Sequence, residues 1–131
     1  MKTLAIDFGE ARTGLAISDP TGTVARPLEV VDRAGTEPGL QRIADVAHAE
    51  GVQRIVVGMP YTLRGEVGHQ AQVTKTFVTA LEARLQTSVE TYDERFTSRV
   101  ARDHSPDTPE DAAAAAHLLT SYLTWDASRN A

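Results

Sequence analysis

The sequence predicts an α/β domain built on a mixed five-stranded sheet in the order 3-2-1-4-5, with the second strand antiparallel to the first. Three apolar runs of strand length open the chain and are separated only by short turns. Two amphipathic, helix-length segments then alternate with two further strands, and an alanine-rich helical segment follows. Strands joined by short turns are antiparallel, whereas strands joined through helices are parallel. The 131 residues suit a single domain, 1–131, with helices flanking the sheet.

The first three strands are predicted to form a meander. Residues 3–8 (TLAIDF) are apolar on both faces, which is typical of a central strand. The turn GEARTG leads to a second strand over residues 15–18, and the turn DPTGT leads to a third over residues 24–31. Pro27 removes one ladder donor from the third strand, so we expect that strand at an edge of the sheet.

The rest of the chain alternates helices with strands. Residues 37–51 carry apolar side chains on one helical face and end at a glycine, and residues 53–57 form a short buried strand. An apolar stripe with helical spacing marks a long second helix (Val73, Phe77, Leu81 and Leu85). A fifth strand, a short helix and the alanine-rich helix complete the pattern (residues 88–92, 96–102 and 109–123).

Acidic residues follow two of the strands at their carboxyl ends. Asp7 ends the first strand, GMP (residues 58–60) ends the fourth, and Glu94 lies in the motif DERFTS after the fifth. Asp111 opens the last helix. In this topology strands one and four flank the switch point at which ligands bind. Clustered carboxylates suit hard divalent cations, and two such ions can hold both oxygens of a phosphodiester displacement. The sequence therefore predicts a metal site here.

Each acid also has a purely structural interpretation. In the structural interpretation of Asp7, its carboxylate accepts hydrogen bonds from backbone N–H groups of the following turn. In that of Glu94, the residue lies in the first turn of a helix, with Asp93 as its N-cap. Asp111 is then the third residue of a helix that begins at Pro109, with Thr108 as its N-cap, where an acid complements the helix dipole. The joint placement of the three acids at one sheet edge favours the functional interpretation.

Four segments together resemble a known family. IDFGEARTGLAIS, VVGMP, DERFTS and EDAAAAAHLL occur in the order and spacing of the YqgF/RuvX family, over residues 2–124. These are RNase H-like proteins, described as Holliday junction resolvases and as nucleases that process the 5′ end of pre-16S ribosomal RNA. The resemblance implies an RNase H-like fold and a metal-dependent endonuclease. Asp7, Glu94 and Asp111 are then the catalytic acids and bind Mg²⁺ or Mn²⁺, as two ions.

The resemblance and the nearby arginines also supply candidates for substrate contact: Gly9, Arg12, Gly14, Gly58, Pro60, Arg64, Arg95, Thr97, Ser98 and Arg99. Gly9 and Gly14 either let a phosphate approach the backbone or provide positive φ in a tight turn. Arg95 and Arg99 share one face of the helix expected after Glu94 and either follow a nucleic-acid backbone or form a solvated stripe. One departure is the segment 103–110 (DHSPDTPE), which is short and acidic where family members often carry a longer basic one.

Composition limits the remaining possibilities. The absence of cysteine excludes disulfides and thiolate metal sites, and the lack of an apolar N-terminal segment predicts a cytoplasmic protein with no membrane span. The net charge of −5 argues weakly against a general nucleic-acid coat protein. We expect nucleic acid, either pre-rRNA or branched DNA, as the partner, and a monomer or a homodimer.

Two other functions stay open from the sequence. One is a nucleic-acid-binding module that keeps the fold without catalysis; the intact acids argue against it, but the short acidic segment leaves it open. The other is phosphoryl transfer, because the D-x-G turn between two strands also resembles the phosphate loop of actin-like ATPases. Such ATPases need a second, related domain, for which 131 residues leave no room.

Overall fold

A computed structural model describes residues 1–97 and 109–130. The strands are β1 (Thr3–Asp7), β2 (Arg12–Ser18), β3 (Ala25–Asp32), β4 (Arg54–Met59) and β5 (Ser88–Asp93). The helices are α1 (Glu37–Glu50), α2 (His69–Glu82) and α3 (Glu110–Arg129), and a short 3₁₀ turn spans Glu94–Phe96. Ser98, Arg99, Thr108 and most of the expected helix 96–102 lie outside the described residues.

The five strands form one sheet in the order β3-β2-β1-β4-β5, as predicted. β2 is antiparallel to β1 and β3, whereas β4 is parallel to both β1 and β5. Pro27 lies on edge strand β3, as expected. Because β1, β4 and β5 run in one direction, Asp7, Met59 and Asp93 all end at the same sheet edge.

Helices cover both faces of the sheet. Alternate side chains of β1 point to opposite faces, so Leu4 and Ile6 pack with α1 and α2 while Ala5 packs beneath α3. On the α3 face, small side chains lie between helix and sheet (Ala5, Ala16 and Ala115). The alanine-rich half of α3 can therefore lie close to the strands, which places its first turn beside β2.

Several boundaries differ from those predicted, most of them by one or two residues, and three of the differences have a structural reason. β2 begins at Arg12 rather than residue 15, because Gly14 pairs with Asp7 and leaves a shorter turn. α2 ends at Glu82, so Leu85 packs against the core from outside the helix. α3 begins at Glu110, because the extended ψ of 135° at Pro109 makes that residue the N-cap.

Asp126, a buried residue of α3, anchors this helix to the sheet. Its carboxylate pairs with Arg54 of β4 (Nη1 to Oδ2, 2.9 Å) and with Arg129 (Nη2 to Oδ1, 2.8 Å). Burial by itself would raise the pKa of Asp126, but the hydrogen bonds from Arg129 and Arg54 outweigh it and hold the pKa below its usual value. Ionised Asp126 therefore stabilises the fold.

Replacing Asp126 with asparagine is expected to destabilise the protein by about 1.5–3 kcal/mol at neutral pH, the range for hydrogen bonds to charged groups. A depressed folded-state pKa gives stability that is present above the unfolded pKa and is lost as pH falls through the folded pKa. The difference in the free energy of unfolding between Asp126→Asn and wild type should therefore shrink below pH 3.8. Urea unfolding at several pH values measures this difference. Asp45→Asn, at an exposed site on α1, is the control, and a pH-independent difference contradicts the prediction.

Candidate active site

The three predicted acids come from three elements that meet at one sheet edge. Asp7 is the last residue of β1, Glu94 directly follows β5, and Asp111 lies in the first turn of α3. Burial raises the pKa of Asp7, a hydrogen bond with the Glu94 side chain opposes this rise, and the nearby negative charge of Asp111 adds to it. The net direction is upward, mainly because burial disfavours the charged form of Asp7, with a smaller contribution from the charge of Asp111.

Gly14 brings Asp111 to Asp7. Gly14 lies opposite Asp7 in the β1–β2 ladder. A Cβ at Gly14 would lie 1.8 Å from the carbonyl oxygen of Asp111 and 2.9 Å from the backbone nitrogen of Ala112. Only glycine therefore lets the first turn of α3 lie directly on β2.

Gly58 makes room for Glu94. It lies in β4, opposite Tyr92 of β5, and a Cβ there would be 2.6 Å from Oε1 and 2.8 Å from Cγ of Glu94. The backbone of Glu94 is fixed by Asp93, whose side chain caps the 3₁₀ turn by accepting from the Arg95 nitrogen at 2.9 Å. Glu94 thus lies in a first helical turn, as its structural interpretation held, and also contacts Asp7.

Three structural interpretations from the sequence differ from the structure. The positive φ proposed for Gly9 and Gly14 is absent at both residues, and both instead permit close backbone approach. The turn after β1 is closed by Thr13, whose hydroxyl accepts from the Gly9 nitrogen at 3.2 Å, and not by Asp7. The predicted position of Asp111 as third helical residue is also off by one, since it is the second.

An open cleft of about 700 Å³ lies in front of Asp7 and Glu94, whereas Asp111 is not one of the residues that line it. Its walls include the predicted residues Asp7, Pro60, Glu94, Arg95 and Thr97. Four further lining residues were not predicted (Tyr61, Leu63, Ala114 and Leu118). The last two could have been found from helical spacing, because positions 114 and 118 share a face with Asp111.

Arg95, predicted to contact substrate, has protein partners. Its Nη2 lies 2.6 Å from Oδ2 of Asp93, and these hydrogen bonds lower the pKa of Asp93. Nη1 reaches the carbonyl of Leu63 at 3.5 Å, and the guanidinium lies against Gly65. Arg95 therefore ties the loop after β4 to the end of β5. Arg64 is exposed on that loop.

Arg12 pairs with Asp111. The distance from Nε of Arg12 to Oδ2 of Asp111 is 3.1 Å, and the Arg12 side chain is 65% exposed. Asp111 therefore has a cationic partner on β2, whereas Asp7 and Glu94 contact each other.

The donor set suits a hard divalent cation. Asp7 and Glu94 offer adjacent carboxylate oxygens at the cleft, the ligands that Mg²⁺ and Mn²⁺ prefer. Within residues 1–97 and 109–130, no three His, Cys, Asp or Glu side chains are already grouped to hold an ion. Asp7 and Glu94 are therefore the candidate ligands that contact each other, while Asp111 is paired with Arg12.

No helix in the described part of the chain is long and apolar enough to cross a membrane.

Known proteins resemble this chain in sequence and in fold. A protein of Chloroflexus aggregans named "Putative pre-16S rRNA nuclease" is 40% identical over 136 residues, covering 97% of this chain and 94% of the relative. A protein of Rubrobacter xylanophilus with the same name is 41% identical over 130 residues, covering 93% and 91%.

Two solved structures share the fold. The RuvC of Thermus thermophilus in complex with a Holliday junction substrate matches with a TM-score of 0.65 at 18% identity, covering 97% of this chain and 96% of that one. The fowlpox virus Holliday junction resolvase matches with a TM-score of 0.55 at 14% identity, covering 95% and 99%. These likenesses confirm the predicted RNase H-like fold.

The sequence model of one family spans almost the whole chain. It is described as "RuvX: Holliday junction resolvase" and matches residues 1–125. With the relatives at about 40% identity, this match confirms the resemblance seen in the four motifs. The chain belongs to the RuvX family.

Proposed function

We propose that this protein is a divalent-metal-dependent endonuclease that hydrolyses phosphodiester bonds in RNA, with the 5′ end of pre-16S rRNA as its substrate. The observation that carries the proposal is the contact between Asp7 and Glu94 at the mouth of the cleft, with the charge of Asp111 acting on Asp7. Family membership supports the reaction class, and the names of the curated relatives favour the RNA substrate.

Each residue has a role in this proposal. Asp7 and Glu94 would hold the cation, and Asp111 would complete its ligands. A bound Mg²⁺ or Mn²⁺ would supply Lewis-acid chemistry at the scissile phosphate and help to activate the attacking water. Gly14 lets the first turn of α3, with Asp111, lie against β2, and Gly58 leaves room for the Glu94 side chain. Water attacks phosphorus in line and the bond to the 3′ oxygen breaks, which leaves 5′-phosphate and 3′-hydroxyl ends.

The cleft walls position the substrate. Tyr61 and Leu63 from the loop after β4 line the cleft together with Ala114 and Leu118 of α3. Arg95 holds that loop in place through the Leu63 carbonyl. Its contribution to binding is therefore the shape of the cleft, while the exposed Arg12 and Arg64 are the candidates for phosphate contact.

Cleavage assays with labelled substrates test the proposal. Purified protein with Mn²⁺ should cut an RNA that spans the 5′ end of 16S rRNA, and EDTA should stop the reaction. A DNA duplex and a four-way DNA junction are run in parallel. Cleavage of the junction alone would make branched DNA the substrate, and a lack of metal-dependent cleavage of all three would overturn the nuclease proposal.

Divalent cations are expected to stabilise the folded protein. A ligand that binds only the folded state at 100 times its Kd adds about 2.7 kcal/mol. Mg²⁺ or Mn²⁺ at that concentration should therefore raise the melting temperature of wild type, and Glu94→Gln should reduce the rise. Asp45→Asn removes an acid remote from the cleft and should respond as wild type does. Equal shifts in all three proteins contradict the proposed ligand set.

A catalytically inactive binding module is the second candidate. It is favoured by the pairing of Asp111 with Arg12, which keeps the third acid from the other two. The cleavage assay separates it from the nuclease, because the module binds RNA without cutting it in Mn²⁺.

A further inference from the structure

We propose that Arg12 is a positioning residue that exchanges Asp111 for a phosphate of the bound nucleic acid, so that substrate binding releases Asp111 to the metal site. This inference rests on the proposed nuclease function. It makes the cation site complete only when substrate is present, and it gives Arg12 two alternating partners.

The contact between the two side chains has the features of an exchangeable pair. Nε of Arg12 lies 3.1 Å from Oδ2 of Asp111, and the side chains are 65% and 33% exposed. A guanidinium carries five N–H donors in a planar fork, and phosphate accepts two of them in parallel. A phosphate entering from solvent can therefore approach Arg12 without any rearrangement of the core.

The backbone around this pair is fixed. Arg12 begins β2 and pairs with Asp32 of β3, while two residues later Gly14 contacts the backbone of Asp111 directly. Gly14 also lies opposite Asp7 in the ladder. Release of Asp111 from Arg12 therefore needs only a side-chain rotation, because its backbone is already held beside Asp7.

The energetics favour exchange. An ion pair between exposed side chains changes an equilibrium constant by no more than about fivefold. Arginine forms charge-assisted, often bidentate contacts with phosphate as it does with carboxylate, and a bound nucleic acid holds a phosphate beside Arg12, so phosphate can replace the carboxylate in this weak pair. The released carboxylate then lies near Asp7, on which its charge already acts. A cation relieves that repulsion, so metal and nucleic acid should bind cooperatively through Arg12.

Calorimetric titration with Ca²⁺ tests the exchange, without and with saturating oligouridylate RNA. Without RNA, Arg12→Gln should bind Ca²⁺ about three- to fivefold more tightly than wild type, the size of one exposed ion pair. Arg12→Lys keeps the charge and should stay near wild type. Arg26→Gln removes an exposed arginine 3.9 Å from Glu50, remote from the cleft, and should not change Ca²⁺ affinity.

The double-mutant cycle with Asp111→Asn isolates the pair. If Arg12 acts by holding Asp111, then adding Arg12→Gln to Asp111→Asn leaves Ca²⁺ affinity unchanged. RNA should tighten Ca²⁺ binding by wild type to at least the level of the Arg12→Gln variant. As a separate measurement, Arg12→Gln should reduce the slope of log RNA affinity against log salt by about 0.7, the loss of one single-strand phosphate contact.

Three outcomes would overturn the inference. Equal tightening by Arg12→Gln in the Asp111→Asn background would show a general charge effect. A lower melting temperature with unchanged Ca²⁺ affinity would show that the pair only fastens α3 to β2. If wild type binds no Ca²⁺, or binds it independently of Asp7, the proposed metal site is overturned as well as the exchange by Arg12. The first two outcomes overturn only the exchange, so the two failures can be distinguished.

Discussion

Asp7→Asn should reduce cleavage by roughly a thousandfold or more, equivalent to about 4 kcal/mol of transition-state stabilisation. The reason is that Asp7 interacts with both other acids, by a hydrogen bond with Glu94 and through the charge of Asp111. Asparagine keeps the shape of the side chain but supplies only a weak neutral ligand. Catalysis should therefore be lost without loss of the fold.

The same substitution should alter stability in a direction that identifies the role of Asp7. The folded-state pKa of Asp7 is raised above 3.8 by burial. With a raised pKa, the folded state binds more protons than the unfolded state, so stability falls as pH rises from 3.8 through the folded pKa. In metal-free buffer Asp7→Asn removes this loss, and its melting temperature should equal or exceed that of wild type at neutral pH.

Thermal melts in EDTA from acidic to neutral pH measure this effect. The gain of Asp7→Asn over wild type should grow as pH rises through the Asp7 pKa, and Asp45→Asn should show no comparable trend. Saturating Mg²⁺ should reverse the order, because wild type then binds the cation and the variant does not. A variant that melts well below wild type in EDTA and still cleaves would make Asp7 a structural acceptor instead.

The strand order could be predicted from the sequence because it follows from connection lengths. Short turns before β2 and β3 and helices before β4 and β5 leave few arrangements that satisfy the handedness of crossovers. The same reasoning predicted that Asp7 and Glu94 would end at one edge. The strand order and the position of these two acids depend only on the direction of each strand, which can be inferred from the lengths of the connections.

The close contacts that assemble the site could not be predicted in this way. Gly14 looked like a turn residue, but the reason for glycine lies in the backbone of Asp111, almost a hundred positions away in the sequence. Gly58 looked like a strand exit, but its missing side chain gives space to Glu94. The pairing of Arg12 with Asp111 depends on the same contact of α3 with β2. Such long-range requirements leave no periodic signal.

Gly14→Ala should therefore be among the most damaging small substitutions in the chain. A Cβ would lie 1.8 Å from the Asp111 carbonyl oxygen and 2.3 Å from its carbonyl carbon, both in the backbone of α3. The first turn of the helix must move away by more than an ångström, since neither strand nor helix backbone can yield locally. Overpacking of this kind costs about 1–3 kcal/mol or more. A displacement of 1 Å can also cost about a hundredfold in rate.

The decisive measurement combines urea unfolding with cleavage assayed at a temperature at which the variant is fully folded. Gly35→Ala is the matched control, because its new Cβ would meet only the Phe8 ring at 3.8 Å, an ordinary contact. We expect the control to retain both stability and rate. Gly14→Ala should lose rate even when folded, since Asp111 moves away from Asp7 with the helix. If the folded variant cleaves and binds Mn²⁺ as wild type does, the contact of α3 with β2 serves only to hold the helix on the sheet. Asp111 then does not belong to the site.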